Sequence, residues 1–231
     1  MKSTLFIILL AGLILSACGG APAATPLPTV TPTAGETAAT QAATQPAGQP
    51  AGRPVTFKIV PGESRASYEV GETFLNQDNR FNLAIGVTSA VNGEIYADLA
   101  NPPASTLGEI SIDISQFTSD SSRRDNAIRG DWLESSRFPM AVFKPTGIES
   151  LPASYVEGQE YAFRVTGDLT VKETTLPVTF DVTAALRGDT LTGKATTTIL
   201  LSQFGVGPIS ILSVLKTEDE AKITLEFVAR P

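Results

Sequence analysis

The sequence predicts an all-β domain, an antiparallel β-barrel of eight or slightly more strands with one short helix covering an end. Apolar and polar residues alternate with a period of two in many short runs, turn-forming residues separate the runs, and the period lengthens to about three and a half in one place. Links of hairpin length favour antiparallel pairing. So many strands must close into a barrel or split into a sandwich to avoid open edges, and we expect the barrel.

Ten runs alternate between apolar and polar residues in the way that half-buried strands do. In residues 108–117, for example, isoleucines take one face while serine and aspartate take the other. Residues of turn type, such as Asn92-Gly93 and Gly188-Asp189, separate the runs. The predicted strands are residues 55–60, 66–74, 81–88, 93–99, 108–117, 140–148, 161–171, 177–186, 189–200 and 221–229.

The apolar faces of these strands define a predicted interior. An eight-stranded barrel is either filled by its own side chains or holds one small ligand. Gly167, Gly193, Ala195 and Thr197 are small residues on the apolar face of their strands, which would leave room for a ligand; a tapered but filled core is the alternative. The predicted ligand-binding residues of the interior are Ile110, Ile112, Ile114, Phe143, Phe163, Val165, Phe180 and Val182.

The segment 121–139, "SSRRDNAIRGDWLESSRFP", is predicted to form the single helix. Ser122 with Asp125 three residues later resembles a capping box. Asp125 and Arg129 stand four residues apart, and Ile128 and Trp132 form one apolar stripe at helical spacing. A lone helix in an all-β chain usually covers one end of the barrel.

The first 18 residues are typical of a lipoprotein signal peptide. Lys2 precedes an apolar run over residues 5–15. This run is too short for a permanent transmembrane helix, because crossing the hydrocarbon core of a bilayer takes about 20 residues. The sequence "LSAC" at 15–18 resembles a bacterial lipobox, which predicts a lipid anchor on Cys18; the alternative is a plain signal peptide with an incidental cysteine. Cys18 is the only cysteine, so the chain forms no internal disulfide.

Residues 19–53 are predicted to be a disordered tether. They contain only two charged residues, Glu36 and Arg53, and no aromatic residue, so they cannot build a core. A random coil of this length spans roughly 30–35 Å. We therefore expect an extracytoplasmic domain, residues 54–231, that is held at the cell envelope by the lipid on Cys18.

Charge argues against a nucleic-acid partner. The whole chain has 17 basic and 24 acidic residues; without Lys2, Arg53 and Glu36, the domain has 15 and 23, a net charge of −8. A basic footprint for nucleic acid is absent, and an anionic bilayer would repel the domain. Membrane attachment is therefore expected to come from the lipid on Cys18.

The composition also argues against an enzyme. The chain has no histidine, which excludes a Ser-His-Asp triad, a Cys-His pair and a histidine-rich metal site within it. Asp125, Asp131 and Glu134 lie close in sequence with an arginine among them, a pattern more typical of an ion-paired helix surface than of a catalytic acid and base. We predict neither catalysis nor a metal site.

Three segments together resemble the YceI-like family: "RRDNAIRGDWLESSRFPMAVFKPTGI" from residue 123, "VTGDLTVKETTLPVTFDV" from residue 165 and "LLSQFGVGP" from residue 200. The resemblance covers residues 56–228. It implies a lipocalin-like β-barrel of an exported bacterial protein that binds polyisoprenoids or related long-chain lipids. Relatives usually carry histidines near the positions of Ala127 and Lys172, so the head-group contacts that those histidines would make are not expected here.

The charged stretch then has two interpretations. In the first, its arginines and aspartates form a solvated, ion-paired helix that closes the barrel. In the second, an arginine at the barrel mouth pairs with the phosphate or quinone oxygen of a lipid whose tail fills the interior. The predicted mouth residues are Arg124, Arg129, Trp132 and Phe204.

The predicted function is that of a membrane-tethered binding protein. It would sequester or carry a polyisoprenoid, an isoprenoid quinone or a fatty acyl lipid, with no other cofactor. The alternative is a filled barrel whose outer surface contacts another envelope protein without a ligand. The volume of the interior distinguishes the two.

Overall fold

A computed structural model describes residues 54–231; the predicted signal peptide, the Cys18 anchor and the tether lie outside the described residues. The described part is one antiparallel sheet with a single α-helix. Its strands are β1 (Val55–Ile59), β2 (Arg65–Phe74), β3 (Arg80–Thr88), β4 (Val91–Asn92), β5 (Glu94–Ala97), β6 (Thr106–Leu107), β7 (Ile110–Asp113), β8 (Met140–Glu149), β9 (Glu160–Val171), β10 (Thr174–Arg187), β11 (Thr190–Leu200), β12 (Ser210–Ile211) and β13 (Leu215–Arg230).

Strands β8 to β11 form a meander of neighbouring hairpins. The β9–β10 hairpin turns at Lys172-Glu173, with Lys172 at φ 55°, and the β10–β11 hairpin turns at Gly188-Asp189, with Gly188 at φ 60°. A positive φ suits the right-handed twist of the flanking strands, and glycine adopts it without steric cost. The predicted turn at Gly188-Asp189 is confirmed by the pairing of Arg187 with Thr190.

The sheet curls and closes through β4, β5 and β13. Strand β13 pairs with β11 on one side; on the other it pairs first with β2 and then, at its C-terminal end, with β1. Strand β1 pairs with β5, and β4 pairs with β7. Only Gly93 separates β4 from β5, and its carbonyl accepts a hydrogen bond from Ile59 N at 3.0 Å. The predicted antiparallel barrel is confirmed.

The two ends of the barrel carry different elements. At one, which we call the helix end, lie the helical segment, the β9–β10 turn and the β12–β13 hairpin; there Lys172 Nζ donates a hydrogen bond to Trp132 O at 3.1 Å. At the other, the N-terminal end, β1 begins at Val55, and Tyr155 Oη donates to Leu186 O at 3.3 Å. Among residues 54–231, no helix is long and apolar enough to cross a bilayer.

The predicted helix is present but begins differently. Helix α1 (Ser122–Ala127) continues as a π-helical turn over Ile128–Trp132. Its N-cap is Ser121, whose Oγ accepts a hydrogen bond from Arg124 N at 3.3 Å, so the predicted capping box at Ser122 is wrong by one residue. Asp125 instead accepts a hydrogen bond from Ser119 Oγ at 2.6 Å.

The predicted strand 108–117 is shorter in the structure. Strand β7 ends at Asp113, and Ile114–Gln116 form one turn of 3-10 helix. The cause is local, because Asp113 Oδ1 accepts hydrogen bonds from the Ser115 backbone at 3.0 Å and the Ser115 hydroxyl at 2.5 Å. An aspartate that bonds to its own backbone two residues later competes with strand pairing.

Candidate functional site

The barrel encloses a cavity of about 570 Å³. Its walls are overwhelmingly aliphatic and aromatic. They include Trp132 and Ile211 at the helix end and Leu99, Tyr155 and Leu191 at the N-terminal end. The interior is therefore hollow, and a completely filled core is wrong for this barrel.

All eight residues predicted for the interior line this cavity: Ile110, Ile112, Ile114, Phe143, Phe163, Val165, Phe180 and Val182. Strand register brings several of them together, since Val165 pairs with Phe180 and Phe163 pairs with Val182. The rings of Phe143 and Phe180 meet edge to face, with centroids 5.0 Å apart and planes at 75°. Their position in the interior is thus as predicted, while ligand binding by these residues stays a prediction.

The small residues contribute less space than predicted. Ala195 lines the cavity, but a Cβ placed on Gly193 would lie 2.5 Å from Phe227 Cζ and 2.5 Å from the Thr183 carbonyl oxygen. A Cβ on Gly167 would similarly lie 2.7 Å from Phe143 Cζ. Both glycines therefore make room for aromatic rings that line the cavity, rather than for a ligand.

Arg124 lines the helix end of the cavity as a paired cation. Its Nε and Nη2 donate hydrogen bonds to the two carboxylate oxygens of Glu72, each at 2.9 Å, and Asp120 is a second acidic partner. Glu72 is buried, with 5% of its side chain exposed, and Arg124 is mostly buried, with 14% exposed. The hydrogen bonds from Arg124 to Glu72 raise the pKa of the guanidinium far above its usual value. Neither interpretation of Arg124 holds unchanged: it is not solvated, and it already has a carboxylate partner.

Two of the other three predicted mouth residues line the cavity and one does not. Trp132 and Phe204 line the cavity, and Phe204 is almost fully buried. Arg129 is not among the lining residues; its Nη1 donates to Phe117 O at 3.0 Å and its Nη2 to Asn126 Oδ1 at 3.0 Å. The structure therefore does not support Arg129 as a mouth residue, because its guanidinium holds the chain beside the helix instead.

Sequence reasoning missed Arg123. This exposed side chain borders the cavity at the helix end, and no carboxylate of residues 54–231 forms a salt bridge with it. Helical periodicity gave no signal for it, because at 3.6 residues per turn Arg123 lies roughly 140° around the helix from Ile128. Arg123 is the cation best placed to meet an anionic group at the cavity mouth.

Tyr68 is a second polar group in the same part of the cavity. Its ring packs edge to face on Phe117, with centroids 5.2 Å apart. Burial raises the pKa of Tyr68 to about 12, so the hydroxyl stays protonated and able to donate a hydrogen bond at neutral pH. Within the described residues, no cluster of three or more Asp, Glu, Cys or His could hold a metal ion. Chemically, the site is an apolar tube with a cation and a phenol at one end.

Comparison with curated proteins gives relatives in Pseudomonas putida. The UPF0312 protein of strain GB-1 is 33% identical over 138 residues, which is 55% of this chain and 67% of that protein. The UPF0312 protein of strain KT2440 is 32% identical over the same length and the same shares of both chains.

Comparison with solved structures gives the same fold. Burkholderia cenocepacia BcnA matches with a TM-score of 0.57 and 24% identity, covering 74% of this chain and 98% of its own. A polyisoprenoid binding domain from Saccharophagus degradans, described as implicated in plant cell wall breakdown, matches with a TM-score of 0.55 and 7% identity, covering 75% of this chain and 97% of its own. The model of the YceI-like domain matches residues 57–229, nearly the whole barrel. The chain belongs to the YceI-like family.

Proposed function

We propose that this protein is a membrane-tethered, extracytoplasmic binding protein that holds a long-chain amphiphile inside its barrel. The observation that carries the proposal is the apolar cavity of about 570 Å³. The structural neighbour from Saccharophagus degradans is described as a polyisoprenoid binding domain, which supports the same class of ligand. Isoprenoids, isoprenoid quinones and fatty acyl lipids share the required chemistry, a long apolar tail with a small polar head.

The cavity volume sets the length of tail that fits. A cavity of about 150 Å³ with similar walls holds one benzene ring. A cavity of about 570 Å³ therefore has room for about 20 carbon atoms, or about four isoprene units. Each buried methylene contributes about 0.8 kcal/mol, so such a tail offsets the cost of ordering a flexible ligand.

The polar head is assigned to the helix end. Arg123 has no acidic partner among residues 54–231 and supplies positive charge, while the Tyr68 hydroxyl supplies a neutral hydrogen-bond donor. Both suit a phosphate or a quinone oxygen. The pair of Arg124 and Glu72 holds α1 against β2 and so keeps Arg123 at the mouth.

Binding without catalysis fits the cavity better than an enzymatic role. Glu72 is committed to Arg124, and Asp125 accepts a hydrogen bond from Ser119. Both carboxylates are therefore held by neighbouring donors, which leaves neither free to act as an acid or base on a ligand. Affinity would come from the apolar walls and orientation from the few polar groups.

The test is extraction of the protein purified from its native envelope. Organic solvent should release an amphiphile with a tail of about 20 carbon atoms, detectable by mass spectrometry in about equimolar amount. Repeated preparations that yield no lipid, together with failure to take up added isoprenoid or fatty acid, would refute the binding function.

Membrane tethering has its own test, Cys18→Ser. The domain has a net charge of −8 and residues 19–53 contain no basic cluster, so the anchor depends on the cysteine. We expect the variant to leave the membrane fraction while the domain stays folded. Tight membrane association of the serine variant that resists salt washing would contradict the anchor.

A further inference from the structure

The helix end of the barrel carries a cluster of exposed apolar side chains. Leu212 is 90% exposed and Phe81 is 60% exposed, although polar residues normally occupy such positions. Ile85 continues the same outer face of β3, and the other large exposed apolar residues of 54–231 are Leu99, Val156 and Leu200. We call this cluster the apolar rim: Leu75, Phe81, Leu83, Ile211, Leu212 and Val214.

Two hairpin tips bring the rim together. Leu75 N donates a hydrogen bond to Val214 O at 2.8 Å, which joins the β2–β3 turn to the β12–β13 turn. One step further along the sheet, Thr73 pairs with both Lys216 and Phe81. No charged residue occurs from Gly205 to Leu215. The apolar rim is therefore one surface formed by these two turns and the outer face of β3, with the charged residues Asp78 and Arg80 beside it.

The rim is continuous with the cavity. Ile211 and Val214 are exposed and also line the cavity, and Leu215 behind them lines it too. An apolar path thus leads from the outer surface into the barrel. A lipid tail following this path would not have to cross water.

From this geometry we infer that the apolar rim inserts into the surface of a lipid bilayer, with the cavity mouth facing the lipid. The inference rests on the proposed function, because it gives the route by which the ligand enters. Continuity with the cavity favours a bilayer over a protein partner, which would cover the mouth. Arg80 at the β2–β3 turn lies beside the rim, with its guanidinium 5.0 Å from the centre of the Phe74 ring. When the rim is inserted, this guanidinium would contact the lipid phosphates at the bilayer surface. The domain's charge of −8 favours zwitterionic over anionic lipid.

The chain before the barrel is long enough for this contact. Strand β13 runs from the rim to the N-terminal end, and at about 3.3 Å per residue its 16 residues span about 50 Å. The 35 residues from 19 to 53 reach at most about 120 Å when fully extended. A lipid on Cys18 would thus let the barrel turn its far end to the bilayer.

The test uses the full chain, reconstituted in phosphatidylcholine vesicles with brominated acyl chains. Leu212→Trp places a reporter on the rim, and Val156→Trp places the same reporter at a position that is 54% exposed near the N-terminal end. Both variants carry Trp132→Phe, since Trp132 is the only native tryptophan. We expect at least twofold quenching by brominated lipid for Leu212→Trp and little for Val156→Trp. Equal quenching in the two variants, or none in either, would overturn the inference.

A second measurement separates this inference from the proposed function. Leu212→Glu should slow lipid uptake from vesicles at least tenfold, while leaving unchanged the amount of lipid bound when it is delivered in detergent; Val156→Glu should change neither. If no variant ever binds lipid but Leu212→Trp is still quenched, the binding function fails and the membrane contact stands. If Leu212→Glu instead converts a dimer to a monomer in sedimentation and Leu212→Trp is not quenched, a second copy covers the rim and the inference is wrong.

Discussion

Replacing Ala195 by tryptophan tests whether the hollow interior sets the length of the bound tail. Ala195 lies on β11 with its side chain in the cavity wall, opposite Val182 and Leu225 in the strand register. A tryptophan side chain buries about 150–250 Å². At about 25 cal/mol per Å², the same area withdrawn from a lipid tail removes about 4–6 kcal/mol of burial energy. At about 0.8 kcal/mol per methylene, this loss corresponds to about five to eight carbon atoms.

The assay is competition among isoprenoid alcohols of increasing length, with bound lipid identified by mass spectrometry. The native protein should retain tails of about 20 carbon atoms, and Ala195→Trp should shift the preference to about 12–15. Thr198→Trp is the matched control, because it adds the same side chain to the exposed face of the same strand. It should leave the preferred length unchanged.

Stability distinguishes a hollow barrel from a packed one in the same variant. Overpacking a filled core costs about 1–3 kcal/mol, which would lower the melting temperature by about 2–12 °C for a domain of this size. In an open cavity, Ala195→Trp should lower it by no more than about 2 °C. A large loss of stability with an unchanged tail preference would refute the reasoning. Gly193→Leu is unsuitable for this purpose, since its Cβ would meet backbone at 2.5 Å whether or not the cavity is filled.

Three further predictions concern the helix end. Arg123→Gln should weaken binding of a phosphate-bearing lipid about tenfold in calorimetry, whereas Arg129→Gln should leave binding unchanged. Equal losses of affinity in the two variants would refute the assignment of Arg123 to the cavity mouth. Glu72→Gln removes the carboxylate that pairs with the Arg124 guanidinium and should lower the free energy of unfolding by about 2 kcal/mol, or the melting temperature by about 4–8 °C. The control Glu69→Gln, on the outer face of β2, should lower the free energy of unfolding by less than about 1 kcal/mol. Similar melting temperatures for the two variants would contradict a structural role for the pair of Arg124 and Glu72. Because burial raises the pKa of Tyr68 to about 12, its contribution to stability is present below pH 10 and is lost as the pH rises through 12. The pKa values of Tyr96 and Tyr155 are also raised, so Tyr68→Phe should remove from the tyrosinate absorbance the group that titrates last; an unchanged high-pH end of the curve would refute this.

The alternation of apolar and polar residues predicted most of the long strands but only the C-terminal part of β13. The sequence predicted that strand only from residue 221, and the segment before it, Thr217-Glu218-Asp219-Glu220, is charged. In the structure β13 begins at Leu215. Asp219 accepts hydrogen bonds from Ser202 N at 2.7 Å and Ser202 Oγ at 2.6 Å. A tertiary contact of this kind leaves no mark in local periodicity.

The same limit applies to the candidate site. The period-two alternation predicted which face of each strand points into the barrel, so the residues of the cavity walls could be predicted from the sequence. The partner of Arg124 is Glu72, 52 residues away, and no local pattern distinguishes it from the other carboxylates. One signal was available, because Glu72 shares its parity with Val70 and Phe74, and a charge on an inward face is expected to be paired. The contact of a glycine with an aromatic ring, such as Gly193 with Phe227, depends on side chains of neighbouring strands, so the alternation within one strand could not predict it.

The pairing of β13 with β1, β2 and β11 also sets the order of folding. The first strand of the barrel and the last are partners, so contacts at the seam join residues more than 150 positions apart, such as Lys58 and Arg230. Loop closure over such a separation is slow, and the wall cannot be completed before residues 215–230 are available. A chain emerging from a ribosome would therefore stay open along this seam until its final strand arrives. The enclosed cavity is then the last feature of the barrel to form.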